Sequence, residues 1–366
     1  MPPEALLVAA LRREAAPWPT DAGAAVEAAL FEAAREHGVS ALLASVPGVR
    51  QWPETLQSAL RSLCREEAVI EAVRRQDLLR LLAAFRHARV QCLLIKGAQL
   101  AYTHYARPWM RPRFDTDILV PAADCERADT ALRGLGYAPS AQVSGALVAH
   151  QRQYQRRDRY GRTDFVDLHW KITNPHLFAE ALTFDELAAA AQAIPQLGEH
   201  ASGLSNVHAL ILACVHRVAH HRNSDLLVWL YDIHLLAGSL NADERAAFLE
   251  TARVKRLRSI CASGLHIAAS NYGTRHPAGW LDRLRPGGDE VEPTAAFLQH
   301  GMRRVDILWS DLRAVGGWTR KTRLLREHLF PPAAYMRARY GHDTPLLLAY
   351  AERVMTGVGR WFRAPS

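Results

Sequence analysis

The sequence predicts an α+β protein in which a small mixed sheet sits between an N-terminal run of helices and a C-terminal all-helical domain. Three observations carry that prediction. Alanine- and leucine-rich stretches with apolar residues every three or four positions fill both ends of the chain. Short runs with strand character, either continuously apolar or alternating, are confined to the middle. The 366 residues, 49% hydrophobic and 22% charged, suffice for a large core or two to three domains, and exclude disordered, collagen-like and disulfide-scaffold chains. The expected division is a helical segment over 1–65, an α/β core over 66–198 and a helical domain over 199–366.

The first segment is broken at Pro17-Trp18-Pro19, Gly38, Pro47-Gly48 and Pro53, which leaves three or four short helices. A longer helix is expected over 66–87, where Val69, Ile70, Val73, Leu78, Leu79, Leu82 and Phe85 recur at helical intervals. Residues 90–95 are almost continuously apolar with a β-branched residue at each end, and read as a strand buried on both faces. Lys96-Gly97 ends that strand, a helix follows over 98–105, and 107–114 is a proline-interrupted loop. The alternating run Asp115-Thr116-Asp117-Ile118-Leu119-Val120 forms the next strand, stopped by Pro121, before a helix over 122–135. A hairpin comes next, with strands over 148–157 and 163–170 about a turn at Asp158-Arg159-Tyr160-Gly161. In its second strand Val166, Leu168 and Trp170 share one face, and Phe165, Asp167 and His169 the other. Beyond about residue 199 the pattern is helical throughout, with loops near Gly273, Pro286-Gly287-Gly288 and Pro331-Pro332, and no internal repeat.

Five scattered cysteines (Cys64, Cys92, Cys125, Cys214, Cys261) with no C-x-x-C pair argue against a disulfide framework and a thiolate zinc site. No run approaches the 18 apolar residues of a membrane span, and the N-terminal apolar patch is too short for a signal sequence. A cytoplasmic protein with no membrane partner is expected. The net charge of +8 is concentrated at the C-terminal end, where residues 301–366 carry 12 Arg or Lys against 5 Asp or Glu. Such a region suits nucleic acid, a phosphorylated ligand or an anionic surface, but a solvated helical face in an arginine-rich chain explains it equally. Lysine is scarce, with only Lys96, Lys171, Lys255 and Lys321, so a lysine carries more information here than an arginine.

The chemistry points to Asp115-Thr116-Asp117. Residues two apart on a strand project from one face with α-carbons about 6.5–7 Å apart, so these two carboxylates stand side by side. Adjacent ionised carboxylates repel unless a cation lies between them, and magnesium prefers carboxylate and phosphate oxygens. Two such ions about 3.5–4 Å apart clamp the attacking and leaving oxygens in phosphoryl or nucleotidyl transfer. Asp167, expected to point the same way from a neighbouring strand, supplies a third carboxylate. Lys96-Gly97, at a strand-to-helix turn, offers backbone N–H groups and a point charge to a polyphosphate. Arg111 and Arg113 stand ready to neutralise departing pyrophosphate. Each piece alone is commonplace. The ordered set of strand, Lys-Gly, helix, arginine-rich loop, D-x-D strand, helix and third-Asp strand carries the functional reading.

His216 and His220 lie four apart on a helix, but no glutamate follows the first, which excludes a zinc-protease site. With Asp232 as a hydrogen-bond partner, they are candidates for lining an acceptor pocket, as is His169, which either orients Asp167 or fills space. Trp229 and Tyr231 sit at a spacing more typical of core than of a base-stacking platform. The absence of G-x-x-x-x-G-K-[ST] and G-x-S-x-G argues against a P-loop ATPase and an α/β-hydrolase.

Leu93-Leu94-Ile95-Lys96-Gly97-Ala98, Arg111-Pro112-Arg113-Phe114-Asp115-Thr116-Asp117-Ile118-Leu119-Val120 and Val166-Asp167-Leu168-His169-Trp170 resemble the uncharacterised nucleotidyltransferase family of the polymerase-β-like superfamily. They resemble, more distantly, the nucleotidyltransferase toxins of type IV toxin–antitoxin systems. The resemblance spans most of the chain, because Cys214-Val215-His216, Leu230-Tyr231-Asp232 and His328-Leu329-Phe330-Pro331-Pro332 stand where that family's C-terminal landmarks are expected. It implies that Asp115 and Asp117 bind the metals, that Asp167 is the third carboxylate, and that Lys96, Gly97 and Ala98 form the nucleotide-phosphate loop in place of the superfamily's Gly-Ser. Two positions depart from the pattern. Phe114 replaces a small residue, which would crowd the triphosphate pocket, and Thr116 replaces an aliphatic one.

The expected function is transfer of a nucleoside monophosphate from a nucleoside triphosphate to an acceptor, with two Mg2+ ions, or Mn2+ in their place. The acceptor is open between a small molecule, a peptide and a tRNA. The competing expectation is a nucleotide- or RNA-binding module without catalysis that uses the basic C-terminal region. Three convergent carboxylates speak against it, since a pure binder of polyanions gains nothing from repelling them.

Overall fold

The structure is a computed structural model that describes every residue except 1–2, 13–15, 21, 144, 146, 159–160, 220–222, 224, 286, 288–291, 300–301, 342 and 362–366. The chain opens with helices α1 (Pro3–Leu11), α2 (Ala24–Glu36) and α3 (Ser40–Ala44), a 3-10 turn at Pro47–Gln51, and α4 (Glu54–His87). The breaks fall at the prolines and at Gly38, whose φ of +67° suits a residue without a side chain. Helix α4 differs from expectation. It runs unbroken for 34 residues from the position after Pro53, and so passes straight through residue 65. No glycine or proline interrupts 54–87, and buried Leu56 and Leu60 continue its apolar stripe towards the N-terminus.

The sheet is built from β1 (Leu93–Leu94), β2 (Asp115–Leu119), β3 (Ala138–Pro139), β4 (Gln151–Arg157), β5 (Thr163–His169), β6 (Gln192–Ala193) and β7 (Ser202–Gly203). Between the strands lie α5 (Lys96–Thr103), α6 (Cys125–Gly134), α7 (His176–Ala179) and α8 (Phe184–Ala189). The strand order is β3-β4-β5-β2-β1-β7-β6. Strands β4 and β5 form the expected antiparallel hairpin, whereas β2 and β5 are parallel neighbours with Asp117 level with Asp167. The strand expected over 90–95 shrinks to two residues. The backbone N–H of Val90 donates to Phe85 O (2.9 Å) and that of Gln91 to the Asp124 carboxylate (2.9 Å), which takes both out of the ladder. The short strand β7, between β1 and the edge strand β6, lies past residue 199, where only helices are expected; Ser202-Gly203 has no apolar alternation to announce it.

Ile118, Val120, Val166 and Leu168 project from one face of the sheet onto Leu78, Leu81 and Phe85 of α4 and Ala128 and Leu132 of α6. A larger core joins the first helices to α9 (Asn206–Ala219), α10 (Leu227–Ser239), α11 (Ala242–Val254) and α12 (Arg258–Tyr272). Leu6, Leu30, Leu43 and Leu60 share this core with Leu210, Val215, Leu230 and Leu265. Leu119 also belongs to it, so the acid-bearing face of β2 ends against the helical half. The chain closes with α13 (Arg304–Ala314), α14 (Trp318–Leu329), α15 (Ala333–Tyr340) and α16 (Leu346–Trp361). Glu327 of α14 accepts from the Leu147 N–H (2.8 Å), and Asp311 of α13 accepts from the His176 N–H (2.7 Å), which fastens these helices to the approach to β4 and to α7. No described helix is long and apolar enough to cross a membrane.

Candidate active site

The two-residue period of β2 turns Asp115 and Asp117 to one face and Thr116 and Ile118 to the other, and the parallel register with β5 sets Asp167 beside Asp117. Lys96 Nζ donates to Asp117 Oδ1 at 2.7 Å, and His169 Nε2 shares the same oxygen at 2.8 Å. Gln151, at the start of β4, donates to Asp167 Oδ2 at 3.1 Å, while Asp167 Oδ1 is buried with no hydrogen-bond partner. His169 is fully buried.

Three carboxylates against one ammonium leave the site short of positive charge. Burial, with the negative charges of Asp117 and Asp167, pushes Asp115 up to about 7. Burial and Asp117 likewise raise Asp167. Asp117 goes the other way, because Lys96 and the His169 hydrogen bond outweigh burial and hold it well below the usual carboxylate range. Burial and the nearby Lys96 charge lower His169, so its imidazole is neutral near pH 7. One ligand atom each from Asp117, Asp167 and His169 lie within 4.8 Å of one another, a spacing that fits a divalent cation. The orphaned Asp167 oxygen meets the same requirement.

The Lys96-Gly97 turn works differently from its sequence reading. Lys96 itself holds the left-handed conformation, with φ +53°, a strained geometry for a residue with a side chain. Gly97 instead allows a close approach: a Cβ there would sit 3.4 Å from Arg111 Cζ. Ala98 is buried in the first turn of α5.

Neither arginine of the preceding loop has a free fork. Arg111 donates to Asp232 of α10 from Nε (2.9 Å) and Nη2 (2.7 Å), and from Nη1 to the Pro112 carbonyl (2.7 Å). Tyr105 donates to the same carboxylate at 2.7 Å. Asp232 therefore holds Arg111 and Tyr105. Arg113 turns to the opposite face. It pairs with Glu71 of α4 at 2.7 Å and donates to Thr116 Oγ1 at 3.2 Å, so it is not brought to the acids. Lys96, Arg111, His216, Trp229 and Asp232 line one small cavity of about 20 Å³ beside the acids. His220 lies outside the described residues. Phe114 is 78% exposed with its ring stacked on Phe165 at 5.5 Å, so it does not fill the space between the carboxylates.

Sequence reading missed Gln151 and the two neutralising acids, Glu71 and Asp232 in its structural role. Gln151 had a signal: Gln151, Gln153 and Gln155 alternate along β4 on the face opposite Asp167's strand neighbours. Glu71 had none, since nothing local marks a mid-helix glutamate as the partner of an arginine 42 residues away.

The site is thus a mixed sheet with two acids on one strand, a third on its parallel neighbour level with the second of them, and a lysine at the adjoining helix start. The model of the uncharacterised nucleotidyltransferase family matches residues 25–273, more than half of the chain, and the protein belongs to that family. The match runs from α2 to the glycine that ends α12, so it takes in every strand and leaves α13 to α16 outside. Nucleotidyl transfer in the generic sense comes with this membership. No curated protein matches the chain.

Proposed function

We propose that the protein is a magnesium-dependent nucleotidyltransferase: an acceptor hydroxyl or phosphate attacks the α-phosphorus of a nucleoside triphosphate, and pyrophosphate leaves. The observation that carries this reading is the uncompensated charge of Asp115, Asp117 and Asp167 on one face, with an unpartnered oxygen on Asp167. Asp115 and Asp117 would hold the cations, with Asp167 on the acceptor side. Divalent ions there supply polarisation of the α-phosphate and neutralise developing charge. Asp167 would also help to deprotonate the attacking hydroxyl, and Gln151 fixes the orientation of its carboxylate through Oδ2. Lys96 exchanges Asp117 for the β- and γ-phosphates, assisted by the N–H groups of Gly97 and Ala98. Arg111, committed to Asp232, contributes a fixed positive field from beneath Gly97, and Arg113 has no part in the reaction. His216 and Asp232, beyond Lys96, line the wall on the helical side.

Incubation of the protein and a cell extract with α-labelled triphosphates and Mg2+ tests this reading and identifies the acceptor. Label is expected in one macromolecule or metabolite, and transfer of γ-label in its place would make the protein a kinase.

A second reading, an RNA-binding module without catalysis, draws on the exposed cation–aromatic pairs of the C-terminal helices. Lys321 lies 5.7 Å from the centre of the Trp318 ring, which is 83% exposed, and Arg313 lies 5.1 Å from that of Trp309. Such a module binds RNA without magnesium and weakens steeply with salt, whereas the enzyme needs magnesium to hold triphosphate.

A further inference from the structure

The acids of the site do not all face the same kind of partner. Asp115 and Asp117 offer oxygen alone, the donor set that magnesium prefers. On the other side of Asp117, the third group within ligand distance is an imidazole: Asp117, Asp167 and His169 each bring one ligand atom within 4.8 Å of the other two, and no further group of this kind occurs among the described residues. His169 is 0% exposed, its Nε2 rests on Asp117 Oδ1 at 2.8 Å, and its Nδ1 has no hydrogen-bond partner. Asp167, 6% exposed, has one oxygen without a hydrogen-bond partner. Nε2, the ring nitrogen that faces Asp117, is the atom that can offer a lone pair to an ion held there, with the ring proton on Nδ1.

We propose that His169 is itself a metal ligand, so that Asp117, Asp167 and His169 form a mixed oxygen–nitrogen position selective for a first-row transition divalent cation over magnesium, beside an all-oxygen position at Asp115 and Asp117. The inference rests on the reading of these acids as a cation site and deepens it by separating the two positions chemically. Nitrogen is a softer donor than carboxylate oxygen, and a neutral ring adds no charge that magnesium would reward. An ion there would take the lone pair of Nε2 in the tautomer that carries its proton on Nδ1, and would replace Lys96 on Asp117 Oδ1. The lysine is thereby released for anionic ligands.

The test is Mn2+ titration of the full-length protein without nucleotide, followed by pulsed electron paramagnetic resonance of the bound ion. The expected result is one tight Mn2+ carrying an imidazole 14N coupling and resisting displacement by a large excess of Mg2+. His169→Gln keeps a hydrogen-bond donor at the Nε2 position towards Asp117, and is expected to abolish the imidazole coupling and weaken Mn2+ by about tenfold or more while Mg2+ binding changes little. Bound Mn2+ that is weakened by Asp167→Asn yet shows no 14N coupling overturns the inference and leaves His169 as a group that orients Asp117. Failure of the protein to bind Mn2+ without nucleotide overturns it as well. The wild-type spectrum decides the matter even if the variant does not fold. Imidazole-coupled Mn2+ in a protein that transfers no label would sink the proposed function alone, and transfer with Mg2+ in a protein whose Mn2+ lacks coupling would sink this inference alone.

Discussion

Arg111 and Arg113 are as thoroughly buried as Asp117, only a few residues away, yet the two sets of charges are treated in opposite ways. Each arginine meets one buried carboxylate in a two-pronged pair, Arg111 with Asp232 at 2.7 and 2.9 Å and Arg113 with Glu71 at 2.7 and 3.2 Å, and hydrogen bonds occupy the rest of the fork. Asp115, Asp117 and Asp167 share Lys96, and the shortfall appears as two carboxyls pushed upwards and one oxygen left without a partner. Burial alone therefore does not distinguish scaffold from site. Charge compensation does: a buried charge that is matched holds the fold, and buried charges in excess of their partners mark where a cation belongs.

Removing one side of a matched pair should give the largest effect. Glu71→Ala and Asp232→Ala each strand a buried guanidinium and should cost about 3–5 kcal/mol in denaturant unfolding. A loss under about 1 kcal/mol for either would erase the distinction drawn between the two regions. In the acid cluster the same kind of change should spare stability and strike activity. Asp115→Ala should lower label transfer by at least about a hundredfold, with the melting temperature kept, because the variant relieves repulsion as it removes a ligand.

A smaller effect concerns pH. The folded protein keeps a proton on Asp115 up to about pH 7, whereas the unfolded chain releases it near 4. The native state then binds more protons over that interval, so stability without metal should fall as pH rises from about 4 to 7 and level off above. Raised Asp167 acts in the same sense, and lowered Asp117 acts only below the interval. Thermal melts across the range check this, and Asp115→Asn should remove part of the slope. An unchanged slope in that variant would mean that the cluster is already compensated. The smallest effect is expected at Phe114, whose ring is mostly exposed: Phe114→Ala should shift stability by no more than about 0.5 kcal/mol.

Much of this arrangement was legible in the residues. The order of strands through the middle of the chain, the hairpin, the helix at Cys125–Gly134 and the shared face of Asp115 and Asp117 all follow from patterns a few residues long. The misreadings are of another kind. Helix α4 begins 12 residues early, β1 keeps two residues of an apolar run of six, and β7, a two-residue strand with no pattern, joins β1 to the edge strand β6. The arginines looked like phosphate ligands because their loop precedes the acids, and Glu71 and Asp232, 42 and 121 residues from them in sequence, decide otherwise.

The sequence by itself determined which side chains of Asp115 to Val120 face together, because alternation is a property of the extended backbone and needs no partner. It also determined that the chain is an α+β protein, since helical and strand periods are written in neighbouring residues. Tertiary structure alone decided that Asp167 lies level with Asp117, that His169 joins them, and that both loop arginines are consumed by distant carboxylates. The reason is physical: compensation of charge acts through space over a few ångströms, and the chain brings its partners that close only after it has folded.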